Sequence, residues 1–126
     1  MRLLMSYDAF HMTRPVVFFE IRGRNPAALQ EFYRELFGWK IDAENGLRYG
    51  FVEAGIGGPE GIGGGITGDV EPRMVLYVQV ANLQESLAKA ESLGGRRVME
   101  PFDTPNGPTV AQAADPEGNI IGLIQQ

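Results

Sequence analysis

The sequence predicts an α+β domain made of two copies of one strand–helix–strand–strand–strand unit, and three observations carry that prediction. Landmark residues recur at a fixed offset of 57 residues, an apolar β-type run opens each half, and a capped helical pattern follows each run. Asn25 and Asn82 set the offset, Gly38 and Gly95 keep it, Pro59-Glu60-Gly61 returns as Pro116-Glu117-Gly118, and Gly65 returns as Gly122. Proline and glycine marking unrelated turns would not preserve a common spacing, so the pattern reads as an internal duplication.

The first strands are expected at Pro15 to Ile21 and Met74 to Val80, where β-branched and aromatic side chains dominate. Asn25 suits an N-cap with Pro26 at the first helical position, and Leu29, Phe32, Tyr33 and Leu36 follow at helical spacing, which predicts a helix over 26–37. In the second half Asn82 and Glu85 form a capping-box-like pair, Leu83, Leu87 and Ala90 mark one face, and Gly94-Gly95 supplies the stop, predicting a helix over 83–93. Short strands follow near 39–42, 48–54 and 61–66, matched by 96–100, 108–114 and 119–124. The modules are therefore residues 15–68 and 72–126 of a single domain. Residues 1–14, with the single histidine His11, form an N-terminal extension, which is either ahead of an alternative start or an ordered arm packed on a partner subunit.

Eleven basic and sixteen acidic residues leave a formal charge of −5, and the one adjacent basic pair is Arg96-Arg97, so nucleic acid is an unsuitable partner. The absence of cysteine removes disulfides, thiolate metal sites and thiol nucleophiles together. The early apolar stretch Leu3 to Met5 is far too short for a signal-peptide core or a membrane span, and a cytoplasmic location is expected.

The string Phe32-Tyr33-Arg34-Glu35-Leu36-Phe37-Gly38-Trp39, with Asn25-Pro26 before it and Asp115-Pro116-Glu117-Gly118-Asn119 near the C-terminus, resembles the vicinal oxygen chelate superfamily over residues 15–126. That superfamily includes glyoxalase I, extradiol dioxygenases, bleomycin-resistance proteins and fosfomycin-resistance enzymes. The resemblance implies two βαβββ repeats forming an incomplete mixed-sheet barrel around a cavity, the glyoxalase-like fold, commonly in a homodimer. It also implies, for metal-using members, His, Gln or Glu ligands on the first and last strands of each module. One ligand precedes the helix-capping residue by seven positions, and the other follows the Asp of the Asp-Pro-x-Gly motif by seven. Those positions are Phe18 and Val75, then Gly122 and its repeat mate Gly65. None of the four can coordinate a cation, so neither a metal nor another cofactor is expected.

Side chains alternate across a strand, which places Val16, Phe18 and Glu20 on one face with Val75, Tyr77 and Gln79. Val17, Phe19, Ile21, Leu76, Val78 and Val80 then share the other face, as packing against helices requires. Glu20 is the candidate acid or base of the pocket, unless it sits at an open mouth or pairs with Arg22, Arg73 or another basic residue. Tyr77 is its repeat mate, and a hydrogen bond between them is expected. An aromatic beside an acid suits a flat or cationic ligand. Trp39 and Tyr49 are further ligand-binding candidates of open direction, and Gln112 is a candidate lining residue from the second module.

The glycine-rich stretch 55–65 leads into a strand and lacks a following Lys-Ser or Lys-Thr, so it reads as a mobile connection where a lid could lie, not as a phosphate loop. No nucleophile–base pair is available, and Asp103, Asp115 and Glu117 are explained by turn chemistry. The leading expectation is a metal-independent small-molecule-binding protein, akin to the bleomycin-resistance branch, that takes an aromatic or cationic compound. A lyase or isomerase using Glu20 as general base, with Tyr77 or Gln79 steadying an enolate-like intermediate, is the rival. If the domain serves assembly alone, its cavity should be filled by its own side chains.

Overall fold

The computed structural model describes residues 13–54 and 61–125. Expectations for His11, for residues 1–12 of the extension and for the 55–60 portion of the glycine-rich connection, its lid role included, lie outside the described residues.

The elements follow in the expected order: β1 (Val16–Gly23), α1 (Pro26–Phe37), β2 (Ile41–Asp42), β3 (Gly50–Val52), β4 (Gly63–Gly68), β5 (Arg73–Val80), α2 (Leu83–Ser92), β6 (Arg96–Asp103), β7 (Thr109–Ala114) and β8 (Ile120–Gln125). All eight strands form one sheet in the order β2-β3-β4-β1-β5-β8-β7-β6. Within each half the first and last strands are parallel, β1 with β4 and β5 with β8, while the remaining pairs are antiparallel. Antiparallel pairing of β1 with β5 joins the halves. Once repeat mates are matched, the strand order reads the same from either edge, so the duplicated sequence has become a pseudo-twofold sheet of the mixed, unclosed α+β type.

Local capping fixes both helices. Asn25 Oδ1 accepts from the Ala28 N–H at 3.2 Å, and Gly38 closes α1 at φ 70, where a side chain would be strained. Asn82 Oδ1 accepts from the Glu85 N–H at 2.9 Å, and the Gly95 N–H bonds Ala90 O at 2.9 Å to end α2.

Both helices cover one face of the sheet. Leu83 and Leu87 of α2 pack with Val80, Ala111, Ala113 and Leu123. Leu29 and Tyr33 turn α1 onto Ile21, Ile41, Val52 and Ile66, whereas Phe32 and Leu36 stay more than half exposed. On β5, Met74 and Leu76 point to this helix-bearing face yet remain exposed, because they lie opposite Ile21 and Phe19 with little packed over them. The other, open face has its own cluster of Val75, Tyr77 and Ile124, packed with Val17, Phe18, Val110 and Ile120.

One expectation of the pleat is corrected at the start of β1. The β1–β5 register shifts between Val16 and Phe18, so Val17, not Val16, joins the open-face cluster. A β-bulge adds one residue to a strand and reverses the facing of whatever precedes it.

Candidate functional site

Strands β1, β3, β5 and β7 bring polar and aromatic side chains together on the open face, beside glycines of β4 and β8. Phe18, Glu20 and Arg22 share this side of β1, and the register sets them opposite Tyr77, Val75 and Arg73 of β5. On its other flank Glu20 lies beside Gly65 of β4, which in turn faces Phe51 of β3. Gln112 of β7 lies opposite Gly122 of β8, itself beside Tyr77.

Glu20 is buried, with 7% of its surface exposed. Its Oε1 accepts from Arg22 Nη1 at 2.8 Å, and its Oε2 accepts from Tyr49 Oη at 2.6 Å. Of the partners foreseen for Glu20, Arg22 is therefore the one engaged, and the phenol hydrogen bond comes from Tyr49. Tyr77 Oη instead accepts from Gln112 Nε2 at 3.1 Å, and its ring meets Phe18 edge-on at 6.1 Å.

Two glycines make this arrangement possible. A Cβ at Gly65 would collide with the Tyr49 ring, and one at Gly122 would collide with the Tyr77 ring. The repeat-mate glycines thus each seat a phenol, and the two rings occupy the space that side chains at those positions would need. This bears directly on the metal that the superfamily resemblance implies. Phe18, Val75, Gly65 and Gly122 offer no donor, tyrosine rings cover the glycines, and the nearby carboxylate already faces a guanidinium. Among the described residues no three His, Cys, Asp or Glu side chains gather as a ligand set. The residues here do not fit a divalent cation.

Burial, and after it the charge of Glu20, pushes both the Tyr49 and Tyr77 phenols above their ordinary range. Both remain protonated donors at neutral pH and cannot serve as phenolate bases. Asp69 shows the opposite shift: burial opposes its ionisation, but the Val70 N–H, Arg73 and Arg22 together outweigh that and hold the carboxyl below its usual range.

These shifts predict a pH profile. A phenol whose folded value is raised stabilises the fold fully below the unfolded value of about 10, and that contribution is lost as pH rises toward the folded value. Thermal melts between about pH 8 and 12 should therefore show a falling midpoint above about pH 10. Tyr49→Phe should flatten that fall, and an unchanged profile would refute the assignment. Asp69 has the reverse sign, its contribution being present above about pH 4 and lost on acidification.

Of the residues expected at the site, Phe18, Glu20, Tyr49, Val75, Tyr77 and Gln112 are brought together. Gln79 shares their face two residues beyond Tyr77, about 7 Å along the strand, and its side chain makes no hydrogen bond among the described residues. Trp39 is placed on the helix-bearing side, stacked on Tyr33 at 5.4 Å and tilted against Phe19 at 5.5 Å, because the chain leaving Gly38 folds back over α1. Phe51 and Asp69 were not anticipated. Phe51 follows Tyr49 by two residues and so shares its face, a signal the sequence did contain, whereas nothing local marks Asp69.

The floor of the cluster is closed, since Val75 is fully buried and Tyr77 and Gln112 nearly so. This filling is what the assembly reading anticipated for the centre of the face. Among the described residues an open hollow of about 330 Å³ lies away from this floor, between Arg24, Leu29, Phe32 and Pro72, and another of about 320 Å³ adjoins the site at Phe51, between Lys40, Phe51 and Glu53.

A family model described as "Glyoxalase-like domain" matches residues 17–124. Comparison with curated proteins gave no match. Among solved structures, a glyoxalase/bleomycin resistance protein/dioxygenase superfamily member from Vibrio splendidus is 13% identical, with a TM-score of 0.63, over 90% of this chain and 100% of that one. Methylmalonyl-CoA epimerase from Mycobacterium tuberculosis is 16% identical, with a TM-score of 0.59, over 87% and 86%. The Mn(II)-bound glyoxalase from Novosphingobium aromaticivorans is 19% identical, with a TM-score of 0.56, over 89% of this chain and 38% of that one. At these identities the likeness is one of fold.

Proposed function

The chain belongs to the glyoxalase-like domain family, and from that premise we propose that it binds a small aromatic molecule on the open face of its sheet, above Glu20, Tyr49 and Tyr77. The observation that carries this reading is the pair of phenols seated on repeat-mate glycines around one buried carboxylate. Phe51 extends the aromatic surface: it is half exposed, and its ring centroid lies 4.7 Å from that of Tyr49. A flat ligand can stack on Phe51 and Tyr49 while leaving the closed floor intact. The cationic alternative is weakened because Arg22 already neutralises Glu20.

Calorimetry with simple aromatic and aliphatic compounds tests the proposal. Aromatic compounds should bind at millimolar concentration or better and raise the melting temperature, since a ligand stabilises the state it binds. Phe51→Ala should weaken them. Equal responses to aromatic and aliphatic compounds would contradict the reading.

A second reading, metal-independent proton transfer, is favoured by one feature: Tyr77 is a protonated phenol near Glu20, placed to donate to a developing oxyanion. Glu20→Gln separates the two, since loss of turnover with retained binding would favour catalysis. The exposed Phe32, Leu36, Met74 and Leu76 on the helix-bearing side support a homodimer, which sedimentation would register as a doubled mass.

A further inference from the structure

We propose that Arg22 and Arg73 form an anion clasp on the open face that holds a carboxylate of the aromatic ligand. This deepens the binding reading above and rests on it. The clasp begins with the strand register, which sets Arg22 of β1 directly opposite Arg73 of β5 on the same face as Glu20 and Val75. Like charges opposed across strands repel, so the pair needs compensating negative charge. Asp69, from the connection between β4 and β5, supplies part of it: its Oδ2 lies 3.0 Å from the Nε atoms of both arginines.

That compensation leaves donors over. Each guanidinium carries five N–H groups in a rigid fork. Among the described residues, Arg22 donates Nη1 to Glu20, and Arg73 donates Nε to Asp69. Arg22 Nε is buried and, although close to Asp69, lies out of line for a hydrogen bond and has no partner. The remaining donors of the two forks meet no acceptor among the described residues. Paired arginine donors of this kind match the two oxygens of a carboxylate in bidentate geometry.

Access fits as well. The Arg73 side chain is 35% exposed and that of Arg22 is 22% exposed, so the clasp opens to solvent on the Arg73 side. Arg22 lies two residues from Glu20, about 7 Å along β1. One ligand could therefore place its ring on Phe51 and Tyr49 and its carboxylate at the arginines. Arg22 and Arg73 balance Glu20 and Asp69 in charge, and the whole chain carries a charge of −5. Attraction is therefore short-ranged and made by hydrogen bonds, not by long-range steering.

Calorimetry with benzoate, benzyl alcohol and benzylamine at pH 7 tests the clasp, using the unmodified protein, Arg73→Gln and Arg73→Lys. Circular dichroism would verify that each variant is folded. Benzoate should bind about tenfold tighter than benzyl alcohol, and Arg73→Gln should erase most of that gap while leaving benzyl alcohol unaffected. Arg73→Lys, which keeps the charge but loses the fork, should fall between, and it carries the comparison if Arg73→Gln does not fold. Benzyl alcohol binding with no gain for benzoate, or tighter binding of benzylamine, would overturn the clasp and leave the aromatic site standing. No binding of any of the three at about 10 mM would overturn the aromatic site and the clasp together.

Discussion

Replacing Glu20 by alanine is expected to cost about 3 kcal/mol of folding stability, because truncating one member of a buried ion pair leaves the other charge uncompensated. Arg22 would lose its 2.8 Å contact and keep only the misaligned approach to Asp69, while the Tyr49 hydroxyl would lose its 2.6 Å acceptor. The partial exposure of Arg22 lets water recover some of the loss, which places the figure at the lower end of the range for such truncations. Glu20→Gln should cost less, about 1–2 kcal/mol, since an amide oxygen still accepts from Tyr49. Urea denaturation measures both. An alanine variant within about 0.5 kcal/mol of the parent would mean that the carboxylate is not the anchor of this face.

The second large effect is expected at Gly122. An alanine there would drive its Cβ into the Tyr77 ring, which is 5% exposed and held between Phe18 and the hydrogen bond from Gln112. Overpacking of a closed core costs about 1–3 kcal/mol, and Gly122→Ala should reach the upper half of that range because the ring has nowhere to go. Gly65→Ala supplies the contrast. Tyr49 stands at the entry to the short strand β3 and is only partly buried, so its ring can swing aside. That variant should lose less stability but break the Glu20–Tyr49 hydrogen bond, visible as a shallower alkaline fall in melting temperature, with the Tyr77 part retained. Equal costs at the two glycines would show that the rings are not held differently.

Much of the fold was legible because it is written locally. Asn25, Asn82, Gly38 and Gly95 fix helix ends through contacts within a turn, and the shared offset tied the two halves together before any tertiary contact was known. The face of Glu20, Val75 and Tyr77 was legible for a similar reason, since strand alternation holds through the centre of a regular pair. It failed where regularity failed: the bulge before Phe18 exchanged Val16 for Val17. Trp39 was beyond reach because its direction depends on how the chain leaves the left-handed Gly38. The engagement of Glu20 by Tyr49 depends on β3 lying beside β4 with a glycine beneath the ring, a relation between residues 16 positions apart that no local pattern encodes.

The central claim is that ligands meet this chain on the open face, over the two tyrosines. An amide nitrogen–proton correlation titration with benzyl alcohol tests it most directly. The largest shifts should fall on Tyr49, Phe51, Gly65, Tyr77, Gln112 and Gly122. Shifts centred instead on Leu29, Phe32, Tyr33 and Trp39 would place the ligand on the helix-bearing side and contradict it.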